Sequence, residues 1–148
     1  VNALAVAFVL TGAVALGDGD LRTVSGKPFD VADLLTRGPV VLVFWNSWLP
    51  HADEFAKLIP EVETAARRYK WPGAVIVFQE EDTEPGRRLV KKDSPLELLF
   101  DRRGELLRRF KVTRAPTVLL VEPNGDVRAR SGPEAGEVHQ IVLEMGHR

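Results

Sequence analysis

The run "VVLVFW" (Val40–Trp45) constrains this chain most. Its residues are β-branched, aliphatic or aromatic, and none is charged. Its length suits one strand rather than a helix. A strand that is apolar on both sides needs cover on both of its faces. Val40–Trp45 is therefore expected in the middle of a sheet, with other elements above and below it.

The rest of the chain supplies those elements. "LRTVSGKPFDVADLL" reads as a short strand, a turn at Ser25-Gly26 and a helical turn that Gly38-Pro39 ends. Asp53–Lys70 carries the longest helical pattern. Phe55, Leu58, Ile59, Val62, Ala65, Ala66 and Tyr69 recur at three- and four-residue steps. Pro60 lies inside this pattern, where a missing N–H predicts a kink. Trp71-Pro72-Gly73 ends the helix, and "AVIVFQ" (Ala74–Gln79) is a second buried strand. "EPGRRLVKK" predicts a short helix, since Pro85 suits a first turn. "PLELLFD" is an extended segment and "GELLRRFKV" a short helix behind it.

The C-terminal part closes the sheet. Thr117–Glu122 reads as a strand and Pro123-Asn124-Gly125-Asp126 as a hairpin turn, with Asn-Gly able to take positive φ. Val127–Arg130 alternates with period two, as a more exposed strand does. Pro133–Met145 is a final helix with Ala135, Val138, Ile141, Val142 and Met145 on one face. The fold class that follows is α/β: a central mixed sheet with helices on both faces.

Composition narrows the function classes. The 148 residues carry a net charge of -1, so no global field draws the chain to nucleic acid or anionic lipid. Charge is segregated: "EEDTE" (Glu80–Glu84) is acidic, while "RRLVKK" (Arg87–Lys92) and "RRGELLRRFK" (Arg102–Lys111) are basic. These read as solvated helix faces with local pairing. No aromatic ladder accompanies the basic residues, so no nucleic-acid partner is expected. The sequence holds no cysteine, which excludes disulfides, thiolate metal sites and thiol catalysis within it. No metal or other cofactor is expected: there is no nucleophile elbow, P-loop or dinucleotide glycine fingerprint. His51 stands beside Asp53 and Glu54, and His139 and His147 lie far off in the last helix.

The first residues read differently. "ALAVAFVLTGAVAL" (Ala3–Leu16) is uncharged and apolar, yet shorter than the roughly 20 residues that span a bilayer. Its length fits a signal-peptide core, with Ala13-Val14-Ala15 as a cleavage site, although no basic region precedes it. Residues 1–16 are expected to be a truncated signal peptide or the remnant of a membrane anchor, the alternative being a buried helix or strand of the domain itself. "GDGD" (Gly17–Asp20) is a flexible break, and residues 17–148 form the domain.

Two stretches carry a family resemblance. "SGKPFDVADLLTRGPVVLVFWNSW" leads through a Gly-containing turn to a core strand ending in an aromatic pair. "FKVTRAPTVLLVEPNGDV" places a proline before the last hairpin. Over residues 20–146 the chain resembles the thioredoxin-like superfamily. The branch it resembles is the extracytoplasmic TlpA/ResA-type thiol-disulfide proteins, which share a domain with AhpC/TSA redoxins. The resemblance implies a thioredoxin-like fold and places the site at Trp48–Ala52. There the family's Trp-Cys-x-x-Cys has become Trp48-Leu49-Pro50-His51-Ala52, so Leu49 and Ala52 stand where the two cysteines would be. The family's first cysteine sits at a helix N-terminus, whose dipole stabilises a thiolate; the second resolves a mixed disulfide. Leu49 and Ala52 can do neither.

Other departures agree. Val43 holds the position of the family's buried acid. Asp53 and Glu54 replace the usual basic flank and would disfavour a thiolate. Lys57 holds the place of the helix proline, and Pro60 comes almost a turn later. No catalytic residue is assigned. Pro116 matches the family's cis-proline, and the backbone before it, at Arg114 and Ala115, is where relatives of this kind pair with an extended substrate peptide. Strand addition of that kind needs no sulfur.

The resemblance thus implies a peptide-binding groove of Trp48, Leu49, Pro50, His51, Ala115 and Pro116. Its partner would be an extended peptide or a protein, in a non-catalytic, extracytoplasmic, chaperone-type module. The competing readings are a thiol-disulfide oxidoreductase or peroxidase by family, and a structural domain of a larger membrane-anchored protein.

Overall fold

The computed structural model describes residues 21–147. The expectations for residues 1–16 and for the break at Gly17–Asp20 lie outside the described residues.

Among the described residues, twelve elements follow one another. They are β1 (Leu21–Thr23), α1 (Ala32–Leu35), β2 (Val40–Trp45), α2 (Ala52–Ala56), α3 (Ile59–Tyr69) and β3 (Gly73–Phe78). Then come α4 (Glu84–Leu89), β4 (Glu97–Asp101), α5 (Glu105–Arg109), β5 (Thr117–Val121), β6 (Val127–Arg130) and α6 (Ala135–Met145). The strands form one sheet in the order β1-β4-β3-β2-β5-β6. β2, β3 and β4 run parallel; β1, β5 and β6 add antiparallel pairs at the two sides. β2 is buried along its whole length, as a central strand must be.

Strand alternation splits the core into two layers. Val41, Val43 and Trp45 face one side, with Phe55 of α2, Ile59 and Val62 of α3, and Val138 and Ile141 of α6. Val40, Leu42 and Phe44 face the other, with Leu34 and Leu35 of α1 and Leu106 of α5. Helices therefore cover both faces, as the apolar run requires.

Three expectations need correction. The helix over Asp53–Lys70 is two helices, broken at Lys57-Leu58. Pro60 has no N–H to give the Ala56 carbonyl, and its ring crowds that carbonyl, so the chain restarts one residue before it. Tyr69, assigned to the apolar stripe, is 39% exposed, with the Arg68 guanidinium 5.5 Å from its ring centre. Ala135 is exposed at the first turn of α6, so it is no part of that helix's buried face. The hairpin between β5 and β6 also differs in detail. Gly125 alone takes positive φ (93°), while the Asn124 side chain accepts the Asp126 N–H at 3.0 Å. That is a turn stabilised by a side chain at its start and closed by a left-handed glycine.

Asp101, at the end of β4, is buried and accepts the N–H groups of Glu105, Leu106 and Leu107 at 3.0, 3.0 and 3.2 Å. It closes the open end of α5, which has no cap of its own. Burial pushes the Asp101 carboxyl above its ordinary value of 3.8 and outweighs the three N–H donors, which pull the other way. The folded chain thus holds this proton more tightly than the unfolded chain. The stability from this group is full below the ordinary value and is lost as pH rises through the raised one. Asp101→Asn removes the titration. In urea melts across that range, the stability difference between parent and variant is expected to shift towards the variant as pH rises. A pH-independent difference would contradict this account.

Candidate functional site

β2 and β3 are parallel, and β5 runs antiparallel to β2 with Phe44 opposite Thr117. The segment after Trp45, the segment after Phe78 and the segment before Thr117 therefore leave the sheet at one end. In open α/β sheets, the carboxyl ends of parallel strands are where ligands bind.

The 46–51 segment is held from β3. Asn46 is fully buried and its side-chain N–H donates to the Phe78 carbonyl at 3.1 Å; its Oδ1 has no partner among the described residues. Glu80 is buried and uses both oxygens on Ser47, accepting its N–H at 2.7 Å and its hydroxyl at 2.8 Å. Trp48 is 59% exposed. Its indole N–H donates to the Gln79 carbonyl at 3.3 Å, and its ring meets Phe78 edge-on at 6.5 Å. Leu49 is half-buried and packs against both core layers. Pro50 and His51 are exposed. His51 takes a left-handed conformation, φ 68°, directly before α2. The Ala52 N–H donates to the Leu49 carbonyl at 3.2 Å, and the buried Trp45 indole N–H donates to the Ala52 carbonyl at 3.0 Å.

This geometry corrects one part of the resemblance. In the family pattern the first motif position opens the helix. Here α2 starts at Ala52, and Leu49 lies in the turn before it. A group at position 49 gets little from the dipole of so short a helix.

The second segment is Arg114–Pro116. The Ala115–Pro116 peptide bond is cis, and Pro116 is buried. The Arg114 guanidinium reaches Glu137 of α6 at 3.3 Å. Among the described residues, no backbone hydrogen bond engages the amide or carbonyl groups of Arg114 and Ala115. Ala115 and Leu49 pack against the same core layer.

All six groove residues thus lie at one end of the sheet. They do not converge equally. Trp48 is tied to the β3 side of β2, whereas Ala115 and Pro116 lead into β5 on its other side. No hydrogen bond or ring contact among the described residues joins Trp48 to Ala115 or Pro116. The sequence reading missed Asn46, Ser47, Gln79 and Glu80, which set the position of Trp48. It took Glu80–Glu84 as a solvated acidic run. Glu81, Asp82 and Glu84 are exposed, but Glu80 is not.

The arrangement holds no thiol nucleophile. Val43 is fully buried among apolar neighbours, so no acid lies beneath the motif at that position. Among the described residues, no group of three or more His, Cys, Asp or Glu side chains is placed to hold a metal ion. His139 pairs instead with Glu61 of α3 at 2.7 Å.

Residues 5–130 match the AhpC/TSA family. The chain belongs to the AhpC/TSA family. Solved structures share the fold of this AhpC/TSA chain. A secreted disulfide oxidoreductase of Mycobacterium tuberculosis, described as homologous to E. coli DsbE, aligns with a TM-score of 0.67 at 22% identity, covering 86% of this chain and 93% of that one. The exposed lipoprotein thioredoxin Etrx1 of Streptococcus pneumoniae aligns at 0.63 and 21% identity, covering 84% and 96%. The peroxidoxin BcpB of M. tuberculosis aligns at 0.64 and 17% identity, covering 86% and 90%. Among curated proteins, human nucleoredoxin-like protein 1 is 36% identical over 73 residues, which is 46% of this chain and 34% of that protein. The match spans about a third of that relative's length. This AhpC/TSA domain therefore keeps the thioredoxin-like fold with no cysteine in its sequence.

Proposed function

We propose that this protein is a thioredoxin-like domain that has lost dithiol chemistry and binds an extended peptide or partner protein, as a chaperone-type module. The observation that supports it best is that, among the described residues, no backbone hydrogen bond engages Arg114 or Ala115. It leads directly into β5, so an extended chain laid beside it finds donors and acceptors in strand register. Leu49 adds half-buried apolar surface beside it, and Trp48 adds a flat exposed one. The groove comprises Trp48, Leu49, Pro50, His51, Ala115 and Pro116. Its two halves flank the end of β2, so a bound peptide crosses that strand end.

We also place the protein outside the cytoplasm. Relatives of its fold are named as secreted and as an exposed lipoprotein, and attachment through an upstream segment fits that reading.

A peptide array probed with the purified domain tests binding. Trp48→Ala is expected to weaken captured peptides by tenfold or more, as for an aromatic anchor worth roughly 2 kcal/mol. Because Trp48 is mostly exposed, the variant is expected to remain folded. The reading is lost if no peptide is captured, or if every captured peptide ignores the substitution. An insulin-reduction assay is expected to give no turnover above a heat-killed control; turnover would overturn the non-catalytic reading.

A further inference from the structure

The acidic and basic runs of the sequence meet on α4, and the basic end is unexplained by the groove. Arg87, Arg88, Lys91 and Lys92 are all exposed, and Lys57 lies across a cleft from Arg88 and Lys91. None of these cations pairs with an acid among the described residues. Arg87 donates to the Thr83 hydroxyl and Lys91 to the Arg88 carbonyl, both neutral acceptors. A short helix's dipole can favour cations in its last turn. It does not account for Lys57, which belongs to the break between α2 and α3, nor for Lys91 and Lys92 beyond the helix end.

Two hollows flank this ridge. One, about 420 Å³, lies between α4 and the α2–α3 break, with Trp45, Pro60, Pro85 and Leu89 as its apolar lining. The other, about 390 Å³, lies on the far flank, with Val24, Val90, Leu96 and Leu98. Lys91 borders both, so they meet across a single cationic side chain. Each hollow holds one carboxylate, Asp53 in the first and Glu97 in the second, against the five cations named above. Val24, at the edge of the second hollow, is 40% exposed.

We propose that α4 and its two hollows form a docking surface for an acidic protein segment whose apolar side chains enter the hollows. Charge complementarity selects the acidic partner: the linings of the two hollows carry five cations against two carboxylates, and the exposed Glu81, Asp82, Glu84 and Asp93 stand outside those linings. The apolar floors select a protein over a phosphate polymer. A backbone of phosphates needs cations but leaves two apolar hollows empty. The two hollows share no lining residue with the proposed groove of Trp48, Leu49, Pro50, His51, Ala115 and Pro116, although Ser47 and Asp53 of the first hollow flank its motif half, and the docking surface stands whether or not that groove binds peptide.

The probe is a synthetic set of Glu/Asp-rich peptides with Leu or Phe at varied spacings. Controls are a peptide with Glu and Ser only, a single-stranded oligonucleotide and phosphatidylglycerol vesicles. Acidic peptides with two apolar side chains are expected to bind and to perturb the NMR signals of residues 57 and 85–98. Arg88→Glu with Lys91→Glu should weaken them about tenfold or more, and Lys57→Glu alone should weaken them less. Binding should fall as salt rises. These exposed substitutions leave the core untouched. The proposal is overturned if none of these peptides binds, or if the Glu/Ser peptide binds as well as those with apolar residues. Tighter binding of oligonucleotide or vesicles would also overturn it, as would signal changes confined to residues 48–51 and 114–116.

Discussion

Phe55→Ala is expected to remove about 3–5 kcal/mol of folding stability, the usual loss for a fully buried phenylalanine. That is a large share of the roughly 5–15 kcal/mol that holds a domain of this kind together. The reason lies in α2. A helix of five residues cannot stand in water through its own hydrogen bonds. It stays because Ala52 and Phe55 are buried, and because the Trp45 indole holds the Ala52 carbonyl. Phe55 also receives the turn before it, since its N–H donates to the His51 carbonyl at 2.9 Å. Removing the ring leaves a cavity under the segment that carries Leu49, Pro50 and His51. Two measurements check this: the urea midpoint should fall sharply, and amide exchange should quicken over residues 49–56 more than over β3. A loss below about 1 kcal/mol would mean that α2 is held by something other than this contact.

The parts of this fold that were legible in the sequence are those in which every residue obeys one rule. β2, β3 and β5 are apolar on both sides, so no error of phase could hide them. β6 alternates cleanly and is alternately half-buried and exposed. The misreadings occur where two rules compete. Periodicity ran through Lys57 and Leu58, but Pro60 broke the backbone ladder and the break prevailed. Tyr69 fell on the apolar phase of α3 at its last residue, where the helix turns out through Lys70 in a left-handed conformation.

The candidate site was visible only as far as local motifs reach. Trp48 to His51 stand together in the chain, and Pro116 is marked by its place before a strand. What fixes Trp48 is polar and distant: Glu80 reaches Ser47 across 33 residues of sequence. A lone glutamate in an acidic run carries no local sign that it will be buried against a loop. The same applies to Asp101, which no local pattern marks and which closes α5.

Gly73→Ala should cost about 3 kcal/mol, at the upper end of what overpacking costs. Glycine is needed here for closeness to a neighbour rather than for backbone freedom, since its φ is not in the left-handed region. Gly73 opens β3 opposite Val41 of β2. A Cβ there would collide with the Val41 carbonyl oxygen and lie 2.5 Å from its Cγ1. Rotation of the Val41 side chain relieves the side-chain contact; the carbonyl contact requires the strand itself to move. β2 has no room to retreat, because Val41 is also paired with Leu120 of β5 on its other side. The added methyl must therefore part β2 from β3 at the start of their ladder, or twist Gly73 out of it. Gly136→Ala supplies the contrast. Gly136 lies in α6, is exposed, and has nothing within 4 Å of the added carbon. There the same substitution should stabilise by about 0.5–1 kcal/mol, through helix preference and a less free unfolded chain. Thermal melts of the two variants should thus move in opposite directions from the parent. Equal shifts would show that Gly73 acts as a helix stop after Trp71-Pro72, as the sequence suggested, and not as the point where two central strands come closest.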